Sequence, residues 1–391
     1  MIVSLDSINH PRVDSHIPLR MSRKISIKTS IFACFLKTRS ITSPSARTKP
    51  HMFRTLSLLC VAALVAGVST LSAQSVTTDP VGFITLTVFG PAVTGDTANT
   101  FIGLGFTQPV SYQAALASAA ATTLTDSSAA FTVDQFSGPA GSFYLELTNG
   151  TGAGRTSQIT GTPTATTITT ADNLSSFVTA GATYKIRKNW TLSSVFGPNA
   201  ESGIAGGNIT TADQVLVYST AGQAYLTFYY KTSGIGGTGW RSTASTSINE
   251  ATHPFMPTDG LLVLRHTAGN VTFALAGAVK LGPTALPVVP GSNLLSNVYP
   301  AGTFTLNSSN LVGSGLTGGN LTTADQVLIF NNTSNAFDTY YFKTSGIGGT
   351  GWRSTASTST PEDNHGIPFG ASVFIQRINP GSFTWVAPQP F

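Results

Sequence analysis

The sequence predicts an all-β protein, sandwich- or barrel-like, with two pseudo-symmetric repeat units and an inserted small β module. Three observations carry this. Charged residues make up only 9% of the chain, and Gly, Thr, Ser and Ala fill the gaps between short apolar runs. No long stripe of helical period occurs, so short strands joined by turns are the better reading. A 41-residue segment recurs 112 residues later with 29 identities and no gap.

The strand candidates are Phe83–Val88, Ser142–Leu147, Ala182–Arg187, Gln214–Tyr218, Tyr225–Lys231, Gly260–Arg265, Val271–Leu275, Gln326–Phe330, Thr339–Lys343, Ser372–Arg377 and Phe383–Val386. Several alternate in character. Phe143, Leu145 and Leu147 share one face, with Tyr144, Glu146 and Thr148 on the other, as in a half-buried antiparallel strand. Gln113–Ala121 is helix-permissive but short and uncapped, and is expected to be a linker.

Residues 206–246 match 318–358, and the offset continues to the pairs Arg265/Arg377 and Gly269/Gly381. Each unit reads as an Asp-Gln strand, an aromatic strand ending in Lys, a Gly-rich turn, Trp-Arg, and a strand ending in Arg. Two copies suit a pseudo-twofold β architecture; a solenoid would want at least three.

Charge is distributed unevenly. Residues 1–51 hold nine Lys/Arg and two Asp, whereas 74–391 hold 11 Lys/Arg and 14 Asp/Glu. The basic balance therefore belongs to the leader, and nucleic acid is not an expected partner. Met52-Phe53-Arg54 followed by the apolar Leu56–Val68 and the small residues near Ala73 reads as a signal peptide over 52–73. A segment of 13 apolar residues is shorter than the roughly 20 that a membrane-spanning helix requires. Residues 1–51 read as an over-long gene start or a disordered leader. Both cysteines, Cys34 and Cys60, lie at or before the apolar segment, so the mature chain has no disulfide and no Cys-type zinc site.

The domain reading follows: 74–121 an N-terminal β segment pairing with the repeat domain, 122–188 the inserted module, 189–290 the first repeat unit and 291–391 the second. Within the insertion, Thr125-Asp126, Gly150–Arg155 and Tyr184–Arg187 resemble a small β module of bacterial and phage surface or tail proteins. The motif order as a whole, with DPVGF at 79–83, the two TADQ segments, the two GWR turns and WVAPQPF at 385–391, resembles a paralogous family of exported proteins from verrucomicrobial bacteria. That resemblance implies export and a β-rich fold and carries no activity and no functional residues.

The motifs that could carry chemistry are few. GIGGTG at 234–239 and 346–351 has the glycine spacing of a dinucleotide loop, but TGWRSTAST follows where a helix is required, so a turn between antiparallel strands is expected and no cofactor is implied. Lys231, Trp240 and Arg241, with Lys343, Trp352 and Arg353, are the candidate binding residues. A Trp beside an Arg on a Gly-rich turn could stack a sugar ring or a peptide; the competing reading is a core Trp with its Arg nearby. Asp213 and Asp325 are read as local turn caps rather than Ca²⁺ ligands. Glu250/His253 and Glu362/His365 are read as solvated loop tips, with no metal site assigned. No nucleophile elbow and no zinc-protease motif occurs.

These observations point to an exported, non-catalytic surface, envelope or matrix protein with a structural or adhesive role, located in the periplasm, on the outer surface or outside the cell. The alternatives are a carbohydrate-binding module using the two Trp-Arg turns, with glycans as partners, and a secreted hydrolase.

Overall fold

Alternation of β-branched and small polar residues favours strands, and the regular elements are mostly strands in antiparallel sheets. The computed structural model describes residues 79–390, apart from Ala140 and residues 300–303. These lie in one compact unit, Ser75–Phe391. The leader, the signal segment and both cysteines fall outside the described residues.

In chain order the strands begin with β1 (Val81–Val88) and β2 (Ala98–Ile102). The inserted module follows with β3 (Val110–Ala115), β4 (Ser118–Ala120), β5 (Thr123–Thr125), β6 (Phe143–Leu147), β7 (Thr156–Thr164), β8 (Thr167–Thr170) and β9 (Thr183–Lys188). Next come β10 (Trp190–Thr191), helix α1 (Leu192–Phe196), β11 (Gln214–Ser219), β12 (Ala224–Lys231), β13 (Gly239–Ser242), β14 (Pro254–Phe255), β15 (Leu261–Arg265) and β16 (Val271–Ala278). The chain closes with β17 (Thr284–Val288), β18 (Gly291–Ser296), helix α2 (Leu311–Ser314), β19 (Gln326–Asn331), β20 (Ala336–Lys343), β21 (Gly351–Ser354), β22 (Ser372–Arg377) and β23 (Phe383–Ala387).

Two five-stranded sheets organise the repeat regions, in the orders β13-β12-β11-β15-β2 and β21-β20-β19-β22-β18. Their ladders share a register: Gln214 faces Tyr229 and Gln326 faces Tyr341, each partner displaced by 112 residues. Each sheet is accompanied by a two-stranded ribbon, β1-β16 in the first lobe and β17-β23 in the second. In β1 the alternation is visible in burial: Ile84, Leu86 and Val88 enter the core while Val81, Phe83 and Thr85 face out. β17 lies in the span read as the first unit, yet it pairs along its length with β23 of the second lobe. β1 and β2 correspondingly pair with β16 and β15 of the first lobe.

Each lobe has its own apolar core. The first gathers residues from β1, α1, β11 and β15 around Trp240, and the second gathers β17, α2, β19 and β22 around Trp352. Between the lobes an aromatic cluster forms: Phe101 lies 4.9 Å from Phe330 and 5.8 Å from Phe374, and Tyr218 packs edge-on to Phe374 at 5.6 Å. Offset and edge-on rings at this spacing add to the area they bury.

The inserted module is a seven-stranded sheet, β3-β9-β6-β7-β8-β5-β4, with a separate core. It begins at Val110, earlier than the sequence boundary at 122. Gln113–Ala121, expected as a linker, supplies part of β3 and β4 instead. Small Ala side chains fit the flanks of a sheet as readily as a loop, and pairing with β9 and β5 decides the outcome. Asp126 anchors this module by accepting bonds from Tyr184 Oη at 2.8 Å, Tyr112 Oη at 3.2 Å and the Ser128 amide at 2.9 Å. The glycine-rich Gly150–Arg155 loop docks onto the second lobe, where the Ala285 amide donates to the Gly154 carbonyl at 3.0 Å.

Candidate functional site: the stapled turns and a buried charge network

The candidate residues Lys231, Trp240 and Arg241 do come together, around the Gly234–Gly239 turn that joins β12 to β13. Four glycines of this turn, Gly234, Gly236, Gly237 and Gly239, have positive φ, which side-chain-bearing residues adopt at a cost. The cations then secure the turn from within. Lys231 Nζ donates to the carbonyl of Ile235 and, at 3.1 Å, to that of Thr246. Arg241 donates through Nη2 to the Gly236 carbonyl at 2.6 Å and through Nη1 to the Trp240 carbonyl at 2.8 Å. Lys343 and Arg353 repeat the pattern on Ile347, Thr358, Gly348 and Trp352. A charged donor on an otherwise orphaned carbonyl is a strong hydrogen bond.

The tryptophans point the other way. Trp240 is 0% exposed and Trp352 1%. Trp240 donates its indole N–H to the Gly197 carbonyl at 2.9 Å and packs edge-on to Tyr230 at 5.7 Å. Trp352 packs the same way on Phe342 at 5.8 Å. The stacking platform considered from the sequence therefore does not form at these residues. An indole with no accessible face cannot receive a sugar ring, and each guanidinium donates through both Nη atoms to main-chain carbonyls. What each turn does present is one isoleucine, with Ile235 92% and Ile347 89% exposed.

The two aspartates differ from the local caps expected. Asp213 is buried and receives Arg265 Nη1 at 2.7 Å, the Ala205 amide at 2.8 Å and the His266 amide at 2.8 Å. The Ala205 amide is a local partner, eight residues away, whereas Arg265 and His266 come from a distant strand end that spacing in the sequence does not reveal. Asp325 makes the equivalent set with Arg377, Thr317 and Ile378. The Glu-His pairs are also more enclosed than loop tips. His253 lies 3.3 Å from Glu250 and stacks on Phe228 at 4.4 Å. Tyr340 replaces that Phe in the second lobe, and its hydroxyl meets the His365 ring at 2.9 Å.

A further cluster was invisible in the sequence. Glu146, read as outward-facing on β6, is buried, because both faces of this strand are covered. It pairs with Lys280 and lies 3.5 Å from Arg187 Nε. Asp79 completes the network, bound by Arg187 and, at 2.6 Å, by Lys185. Burial alone would raise the Asp79 carboxyl, but the bonds from Lys185 and Arg187 outweigh it and hold it below the usual carboxylate range. Burial pulls the Lys280 ammonium down to about 7. It also raises the Tyr144 phenol, whose hydroxyl has no hydrogen-bond partner among the described residues. Only the low overall charge hinted at such a cluster: in a chain this poor in ions, each buried one needs a partner.

Among the described residues no helix is long and apolar enough to cross a membrane. No protein-family model, curated protein or solved structure matches this chain.

Proposed function

We propose that this chain is an exported, non-catalytic structural protein of a bacterial surface, envelope or matrix, built for rigidity. The observation that carries the reading is that Lys231, Arg241, Lys343 and Arg353 each donate to a carbonyl of their own turn, those of Ile235, Gly236, Ile347 and Gly348. Bonded in this way, the four cations close exposed Gly-rich loops that would otherwise be sites of proteolytic nicking. The apolar segment after Met52 and the resemblance to exported verrucomicrobial proteins support the compartment. The shared ladder register supports an origin of the two lobes by internal duplication.

The test is fractionation of producing cells followed by protease challenge. The protein should be recovered outside the cytoplasm, lacking residues 1–73, and should resist a protease that degrades the Arg241→Ala plus Arg353→Ala variant. Cytoplasmic recovery with the leader intact, or equal protease sensitivity of the two proteins, overturns the reading.

A further inference from the structure

Glu146 belongs to the inserted module and Lys280 follows β16 of the first lobe, so their salt bridge spans two separately cored parts of the chain. Each is only 3% exposed. Two charges held this far from water carry a large desolvation cost that their mutual attraction offsets only in part. The neighbouring carboxylate is already paired. Asp79 is bound by Lys185 and Arg187, and Tyr144 lies against the Arg187 and Asp79 charges with its phenol protonated. Arg187 Nε lies 3.5 Å from Glu146 Oε2 and makes no hydrogen bond.

We propose that Lys280 and Glu146 condense into an isopeptide amide that joins the inserted module covalently to the first lobe. One proton moves from the ammonium to the carboxylate, giving a neutral amine and a neutral acid, the forms a low-dielectric site favours. Lys280 Nζ then attacks Glu146 Cδ. The Cδ–Oε1 bond breaks and Oε1 leaves as water with two of the three original ammonium protons; the third stays on the amide nitrogen. No net proton, oxidant or reductant is consumed. The lowered pKa of Lys280 leaves free amine populated near neutrality. The Arg187 guanidinium, 3.5 Å from Oε2, sets a positive charge beside the oxygen on which negative charge develops in the tetrahedral intermediate, and such a fixed charge lowers the barrier. Condensation removes both buried charges and leaves Asp79 with Lys185 and Arg187. The inference goes beyond the proposed function and does not depend on export.

Mass spectrometry decides it. The purified chain, denatured, should be lighter than its sequence by one water. Trypsin should fail to cut after Lys280, and a branched peptide should join the Lys280 and Glu146 segments. Lys280→Arg, which keeps the charge but not the amine, should have its full sequence mass and yield no branched peptide. If that variant does not fold, the wild-type peptide map is sufficient alone. A folded wild type of full sequence mass, cut normally after Lys280, overturns the proposal.

Discussion

Arg265 reaches Asp213 at 2.7 Å with both side chains closed off from water, and Arg377 and Asp325 form the same pair in the second lobe. Each aspartate also accepts main-chain amides, so the cation balances a carboxylate that is already well bound. Removing one partner of a buried pair leaves an uncompensated charge. Arg265→Leu should therefore cost about 3–5 kcal/mol of unfolding free energy. Asp213→Asn plus Arg265→Leu should cost less than the sum of the single changes. Urea denaturation of the four proteins checks both statements.

The Gly-rich turn allows a comparison between two adjacent residues. Gly236 has φ +89°, and a Cβ there would lie 2.9 Å from the Ser247 Cα. Gly237 has φ +71° with open space around it. Gly237→Ala should cost about 1 kcal/mol, the backbone penalty alone. Gly236→Ala should cost clearly more, because a main-chain contact cannot rotate away. Thermal melting of the two variants gives the order, and equal melting temperatures would contradict it.

All four tryptophans, Trp190, Trp240, Trp352 and Trp385, are buried. Iodide should quench the native fluorescence weakly and the urea-unfolded protein strongly. Trp240→Ala should lose about 3–5 kcal/mol through cavity formation. Strong native quenching would place at least one indole at the surface.

His253 provides a pH handle. Burial against Phe228 lowers its pKa from the ordinary histidine value, with Glu250 opposing in part. The folded state thus binds the proton less readily than the unfolded chain. Its contribution is intact above the unfolded pKa and is lost as pH falls through that value towards the folded one. Between about pH 7.5 and pH 5 the wild type should lose more stability than His253→Gln. Parallel pH dependence in the two proteins would show that this imidazole does not contribute.

Much of the fold was legible in the sequence because strands announce themselves locally. Alternation in β1 and the Gly-bounded aromatic run of β12 need no tertiary information. The site was less legible, for two reasons. Trp240 beside Arg241 on a glycine turn is the same string whether the indole turns inward or outward; packing with Tyr230 and Phe196 decides. Glu146 and Lys280 lie far apart in the chain, and no spacing rule joins them. Alternation also misplaced Glu146, because a strand covered on both faces has no outer side.

The module β3–β9 enters and leaves the first lobe through neighbouring strands, with Val110 opposite Arg187 in one ladder. Both ends of the excursion therefore open at one place, between β2 and β10. A lineage could acquire or exchange such a passenger without rethreading the host, since closing the gap asks for only a short connection. In the second lobe only 14 residues, 297–310, separate β18 from α2, whereas in the first the whole module lies between β2 and α1.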